Sequence, residues 1–182
     1  HGGGTTMRVH FSEISSHGSR FELRRIAGLE EQRDFRLNGP VAAVCTLRRK
    51  DEDKVELRGS LRASLVLVCD RCLGEYNLAV ETTMQVLLEN RPDESLRLQE
   101  LECGSGDLDS ILLDEPVVDL DDLLRQQLYL SLPVKNLCTE QCRGLCPGCG
   151  ADLNQTACSC GADDNRSPFA VLKQLQATRK KE

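Results

Sequence analysis

VELRGSLRASLVLVCDRCLGEYNLAVETTMQVLL, residues 55–88, alternates apolar and polar side chains on both sides of a short cysteine-bearing turn. Val55, Leu57, Leu61, Ala63, Leu65 and Leu67 occupy one side of a long period-2 run that reaches Cys69, with Gly59 as a candidate bulge. Tyr76, Leu78, Val80, Thr82, Met84, Val86 and Leu88 continue the alternation beyond the turn. Two such runs joined across 69–75 predict a hairpin. Its one apolar side implies an antiparallel sheet with one buried face, able to curl towards a barrel.

Outward from the hairpin, residues 20–26 and 35–37 carry shorter alternations, and 41–49 is a less regular strand candidate. Downstream, residues 90–115 are polar and acidic and contain Gly104 and Gly106, which predicts a loop or partly mobile segment. Pro116, Val117 and Val118 lead into a helix over 120–132, capped by Asp119. Leu120, Leu123, Leu124, Leu128 and Leu132 form its apolar stripe, and Asp121 and Asp122 favour the dipole of its first turn without needing a catalytic task. Pro133 ends it. A terminal helix is expected over 168–177, with Ser167 as cap, Pro168 at N1 and Phe169, Leu172 and Leu175 on one face. The fold class is therefore α+β: a sheet-rich main domain over 7–134, and a small zinc-knuckle-like module with its terminal helix over 135–182.

The 182 residues can supply a real core, so metal need not hold the whole molecule together. Trp is absent and aromatics are sparse, which argues against a nucleic-acid surface built from stacking platforms but not against phosphate recognition. The leading HGGGTTM is taken as residues added ahead of a native start at Met7, and 1–6 stay outside the fold reading. No run approaches the roughly 20 apolar residues of a membrane span and no secretory h-region follows Met7, so a cytoplasmic protein without membrane association is expected. Charge is segregated. Residues 7–68 carry 12 basic and 9 acidic side chains, 69–134 carry 4 and 15, and 135–182 carry 7 and 5. The acidic middle is a solvated face or a docking surface for a basic protein; bare RNA would be repelled by it.

Ten cysteines could suggest a secreted disulfide framework, yet six crowd into residues 138–160 with CxxxC, CxxC and CxC spacings. That crowding, without a secretory signal, favours thiolate metal binding over disulfides or redox thiols. The pairs Cys69/Cys72, Cys138/Cys142, Cys146/Cys149 and Cys158/Cys160 have ligand spacing. Gly144, Gly148, Gly150 and Gly161 permit the tight turns between them. Zinc suits sulfur ligands and needs no redox chemistry. The working assignment is Cys69/Cys72/Cys138/Cys142 for one ion and Cys146/Cys149/Cys158/Cys160 for another; a single site within the C-terminal cluster is the competing reading. Cys45 reads as a small apolar strand residue and Cys103 as an ordinary loop thiol. There is no GxGxxG, Walker A, HExxH, GxSxG or deaminase arrangement, and a four-sulfur site leaves no position for activated water. A non-enzymatic protein is expected.

VCDRCLGEY at 68–76, LPVKNLCTEQCRGLCPGCGADLN at 132–154 and SPFAVLKQL at 167–175 stand in the order of one family's signatures. With them the chain resembles the YceD family of large ribosomal RNA subunit accumulation proteins. The resemblance implies a non-enzymatic bacterial or organellar factor needed for normal accumulation of the large-subunit RNA. Carried over, it gives Cys69, Arg71 and Cys72 to the CxRC-type turn. It gives Cys138, Cys142, Arg143, Cys146 and Cys149 to the second signature, with Cys158 and Cys160 trailing. The expected mode is binding of a pre-ribosomal particle through the cysteine module and basic flanks. Arg71 and Arg143 would meet phosphate or carboxylate, and Lys135 and Arg166 would widen the footprint. An adaptor for a basic ribosomal protein and a thiol redox-regulated chaperone are the alternatives.

Overall fold

The computed structural model describes residues 6–29, 32–90 and 109–160. The expected terminal helix, Arg166 and Cys103 lie outside the described residues. The order of elements is β1 (Arg8–His10), a one-turn 3-10 helix (Phe11–Glu13), β2 (Ser19–Leu23), β3 (Arg36–Leu37), β4 (Ala42–Arg49), β5 (Lys54–Val68), β6 (Glu75–Asn90), β7 (Asp109–Leu113), β8 (Val117–Asp119) and α1 (Leu120–Leu130).

β5 and β6 form the long antiparallel hairpin, in unbroken register from Lys54↔Glu89 to Val68↔Glu75. The period-2 pattern explains why: Val55, Leu57, Leu61, Leu65 and Leu67 of β5 all face the core and are almost completely buried. Each such leucine contributes roughly 1.5–3 kcal/mol relative to exposure. Along its other edge β5 first pairs β4, from Val55 to Arg62, and then β3, at Leu65 and Val66. β2 pairs β4 on the far side.

Several expectations are corrected. Gly59 is no bulge: it stays in register between Cys45 and Met84. A Cβ there would stand 3.2 Å from Met84 Cγ and 3.4 Å from Cys45 Sγ, so close approach across three strands accounts for glycine. The sheet is not purely antiparallel and is not a closed barrel, since the path β2-β4-β5-β6-β7 ends on two different strands. β7 joins β6 in parallel, with Val86 opposite Asp109 and Asn90 opposite Leu113. That strand falls inside the stretch expected to be a loop. Its Ile111 and Leu113 pack on the core, but three apolar residues among acids gave too short a period to see. A parallel neighbour requires a crossover of a dozen or more residues, and residues 91–108 supply that length.

Near the chain's start, β1 pairs antiparallel with β8 through Val9↔Val118. This small ladder leads directly into α1, whose cap is the expected one: the Asp119 side chain accepts from the Asp122 N–H at 3.0 Å. Leu120, Leu123, Leu124 and Leu128 are buried. The helix ends at Leu130 rather than 132, because the Ser131 and Leu132 N–H groups turn to the Leu128 and Tyr129 carbonyls. Asp121 does more than complement the dipole. Buried, it accepts from the Met7 N–H at 2.6 Å and the Ala27 N–H at 2.7 Å, joining two distant segments to the helix.

The chain divides into two compact units. The first is His1–Val68 with Glu75–Asn136; the second is Cys69–Gly74 with Leu137–Glu182. The tip of the long hairpin is thus part of the second unit. The apolar core lies in the first, and the buried side chains of the second are Cys69, Cys142 and Cys146 among the described residues.

Candidate metal centres

The second unit builds one type of turn twice. In 69–74 the Leu73 N–H donates to the Cys69 carbonyl at 2.9 Å, and the Cys69 N–H donates to the Gly74 carbonyl at 2.9 Å. In 146–151 the Gly150 N–H meets the Cys146 carbonyl at 2.8 Å, and the Cys146 N–H meets the Ala151 carbonyl at 2.8 Å. The fourth residue after the first cysteine is left-handed in both, Leu73 at φ 59° and Gly150 at φ 74°. This bend turns the two sulfurs of each CxxC to the same side. For Leu73 the conformation costs on the order of 1 kcal/mol, sustained by the bonds around it.

The turns receive different second pairs. Cys69, Cys72, Cys138 and Cys142 form one group and Cys146, Cys149, Cys158 and Cys160 the other, with all sulfurs of a group within 4.8 Å of one another. These are the two sets assigned from spacing. Each can hold a metal ion, and the described cysteines form no disulfide. In the first group Cys69–Cys142 and Cys72–Cys138 are both 3.8 Å apart. Tetrahedral coordination with bonds of roughly 2.3 Å places sulfurs about 3.8 Å apart, so the donor set fits a four-sulfur ion. In the second, Cys149–Cys158 and Cys146–Cys158 are 3.3 Å apart, somewhat inside that edge.

Crowding splits the thiols electrostatically. Burial pushes Cys69 up, but backbone N–H groups of Cys138, Cys72 and Arg71 together outweigh it and bring the thiol down to about 6. Hydrogen bonding to Cys142, then burial, pushes Cys138 up to about 12. In the other group the backbone N–H groups of Cys149 and Gly148, helped by the Cys158 thiol, lower Cys146 to about 6. The Cys160 N–H pulls Cys158 down, yet the Cys146, Cys149 and Cys160 sulfurs prevail and raise it to about 12. Four sulfurs this close cannot all ionise unaided. A divalent cation would relieve that repulsion, and the four cysteines of a group would hold it without leaving a position for water.

Arg71 and Gly144 hold the first group's two halves in place. The Arg71 Nη1 donates to the Cys142 carbonyl at 2.9 Å and the Glu140 carbonyl at 3.3 Å, while its own carbonyl accepts from the Leu145 N–H at 3.1 Å. Gly144, at φ 73°, would place a Cβ 3.0 Å from that carbonyl oxygen. Arg143 and Lys135 are exposed. Cys45 lies buried on β4, where desolvation raises its thiol to about 11, as an inert strand residue requires.

Asn154 was missed from sequence. Its Nδ2 donates to Cys142 Sγ at 3.3 Å, its Oδ1 accepts from the Arg143 N–H at 2.7 Å, and it also bonds Asp152 Oδ1 at 2.8 Å. A carboxamide can donate to a thiolate and accept from a backbone amide at once, and it thereby joins the second group's loop to a sulfur of the first. Asp152 belongs to that loop through its bridge to Leu145. Only the proximity of Asn154 to the CPGCG turn signalled it.

A sequence model of the family described as Large ribosomal RNA subunit accumulation protein YceD matches residues 57–176. The chain is 25% identical over 167 residues to the Large ribosomal RNA subunit accumulation protein YCED homolog 1, chloroplastic, of Arabidopsis thaliana, covering 81% of this chain and 52% of that protein. It is 26% identical over 181 residues to the protein of the same name in Zea mays, covering 86% and 61%. An uncharacterized protein of Mycobacterium tuberculosis is 30% identical over 102 residues, covering 54% of this chain and 45% of its own. The chain thus spans about half to three fifths of the plant relatives' length. No solved structure matches it.

Proposed function

The chain belongs to the YceD family of large ribosomal RNA subunit accumulation proteins, and from that premise we propose that it is a non-enzymatic factor supporting accumulation of large-subunit RNA by binding an assembly intermediate. The observation that carries this reading is the pair of closed four-cysteine groups in a unit whose described residues bury cysteines and scarcely any other apolar side chain. Such a unit depends on its ions for shape, and a metal with four protein ligands supplies a fixed surface rather than a reaction centre. Zinc is the proposed ion because sulfur donors suit it and its filled d shell leaves the site redox-silent. Arg71 and Arg143 on this unit are the proposed RNA contacts, with Lys135 and Arg166 as outlying charges. Arg71 brings a guanidinium already oriented by two carbonyls. The expected compartment is the cytoplasm; no helix among the described residues is long and apolar enough to cross a membrane.

The test joins contact mapping to metal analysis. In purified assembly intermediates, ultraviolet crosslinks should join the cysteine module to large-subunit RNA. Exclusive protein crosslinks would instead favour an adaptor whose acidic middle holds a basic ribosomal protein. Metal analysis should find about two zinc equivalents, consistent with two four-ligand sites. Cys72→Ser and Cys149→Ser should each lose one. A single equivalent indifferent to Cys72 would reject the two-ion assignment. The exposed Cys149 and Cys160 keep a redox-regulated chaperone testable. It requires reversible zinc release on oxidation together with a change in binding.

A further inference from the structure

The outer face of the sheet carries a second charged feature, separate from the cysteines. β4 ends in Arg48-Arg49 with Lys50 following it, and β5 returns through Lys54, Glu56 and Arg58. The antiparallel register puts Thr46 opposite Arg58 and Arg48 opposite Glu56. Side chains of opposed residues share a face, so these four gather around one spot, with Lys50 just beyond. There His17, Thr46, Arg48, Lys50, Glu56 and Arg58 line an open cavity of about 260 Å³. A single water needs only roughly 10–15 Å³ of such space.

Glu56 is the organising group. It points away from the core yet is only 5% exposed, because its neighbours cover it. Lys50 Nζ lies 2.8 Å from Oε2; Arg58 Nε and Nη2 each lie 2.8 Å from Oε1, and Gln85 Nε2 donates to Oε1 at 3.1 Å. One carboxylate therefore holds two cations in place without balancing both. Arg48 is held separately, by its Nε donating to the Ser16 carbonyl at 3.0 Å, which leaves its terminal Nη groups outside that bond. Three basic side chains against one carboxylate leave two positive charges in excess among the lining residues. Asp51, Glu52 and Asp53 occupy the β4–β5 turn and do not line the cavity.

We propose that this cavity on the first unit binds a phosphate of an RNA backbone. The chemistry is that of a phosphodiester: guanidinium groups and an ammonium for its two non-bridging oxygens, with Thr46 also lining the cavity. Among the described residues no Phe, Tyr or Trp lines the cavity, so it holds no platform for a base. The interaction is accordingly with the backbone and independent of sequence. An acidic peptide would need chain-directed groups and an apolar anchor, which these residues do not offer. The proposal rests on the RNA reading above but uses different residues, on a different unit.

The experiment is a fluorescence-anisotropy titration of the full, metal-loaded chain with labelled oligouridylate and labelled oligoadenylate at increasing potassium chloride. Arg48→Gln with Arg58→Gln should weaken binding about tenfold or more, and the salt slope should fall by roughly 0.7 for each phosphate no longer neutralised. Arg48→Gln alone removes one exposed group that, among the described residues, bonds a carbonyl and not Glu56, so it reports even if loss of Arg58 disturbs Glu56. Both oligonucleotides should respond alike. Unchanged affinity and slope in variants with native circular dichroism and metal content would overturn the site, as would absence of binding by the parent chain. A strong preference between the two oligonucleotides would overturn the backbone assignment. If Arg143→Gln weakens binding while the cavity variants bind normally, this inference fails and the RNA reading stands.

Discussion

Gly144 and Gly150 both adopt positive φ, but they differ in what surrounds them. Among the described residues nothing lies within 4 Å of a Cβ built on Gly150, whereas the Arg71 carbonyl oxygen lies 3.0 Å from one on Gly144. Gly150→Ala should cost roughly 1 kcal/mol, the strain of the left-handed backbone alone. Gly144→Ala should cost at least roughly 2 kcal/mol, since backbone must also move. Metal release to a competing chelator should rank them in that order; equal effects would show that the close approach is unimportant. Glu56 carries a pH signature. Its hydrogen bond from Lys50 lowers the carboxyl's pKa, burial opposes that, and Arg58 lowers it further. With the folded value below the unfolded one of roughly 4.3, its contribution is complete above that value and fades as pH falls through the folded pKa. Glu56→Gln should therefore flatten the acid limb of stability below about pH 4, measured by urea unfolding at stepped pH. An unaltered limb would show that another carboxylate dominates it.

At the scale of elements, α1 shows how much of a helix is local. Asp119 as cap and the Leu120, Leu123, Leu124 and Leu128 stripe were legible because capping and 3.6 periodicity involve neighbours in sequence. The task of Asp121 was not legible, because its partners at Met7 and Ala27 are remote along the chain. Asp121→Ala strands two N–H donors near the helix start and should lower unfolding stability by about 2–4 kcal/mol. Asp122→Ala, as a comparison, should cost less, since its carboxylate is partly exposed. Equal losses would mean that helix-dipole complementarity, and not the two bonds from Met7 and Ala27, governs the site. The strands divide the same way. The β5–β6 hairpin declares itself by fifteen-residue alternation, while β1, β7 and β8 are short and gain their meaning only from what they pair with.

At the scale of the molecule, the two units draw stability from different sources. The first buries a continuous leucine-rich core; the second, among its described residues, buries cysteines. Stripping metal should therefore remove hydrogen-exchange protection from amides at 142–156 while the β4-β5 and β5-β6 ladders keep theirs. Loss of both together, at equal chelator dose, would show a single cooperative molecule. Cysteine spacing alone picked out the four pairs that the fold gathers into groups able to hold a metal, and period-2 alternation alone identified the hairpin that carries the first of them. Those features are encoded between near neighbours, where geometry permits few alternatives. Tertiary structure decided what spacing left open: that four pairs make two groups rather than one, that Asn154 reaches a sulfur of the other group, and that Glu56 is buried among cations on an outward face. It also decided that β7 lies parallel to β6 and that Gly59 keeps register. Each of these depends on which distant segments meet, and that is selected by burial and complementarity over the whole chain, which no local period records.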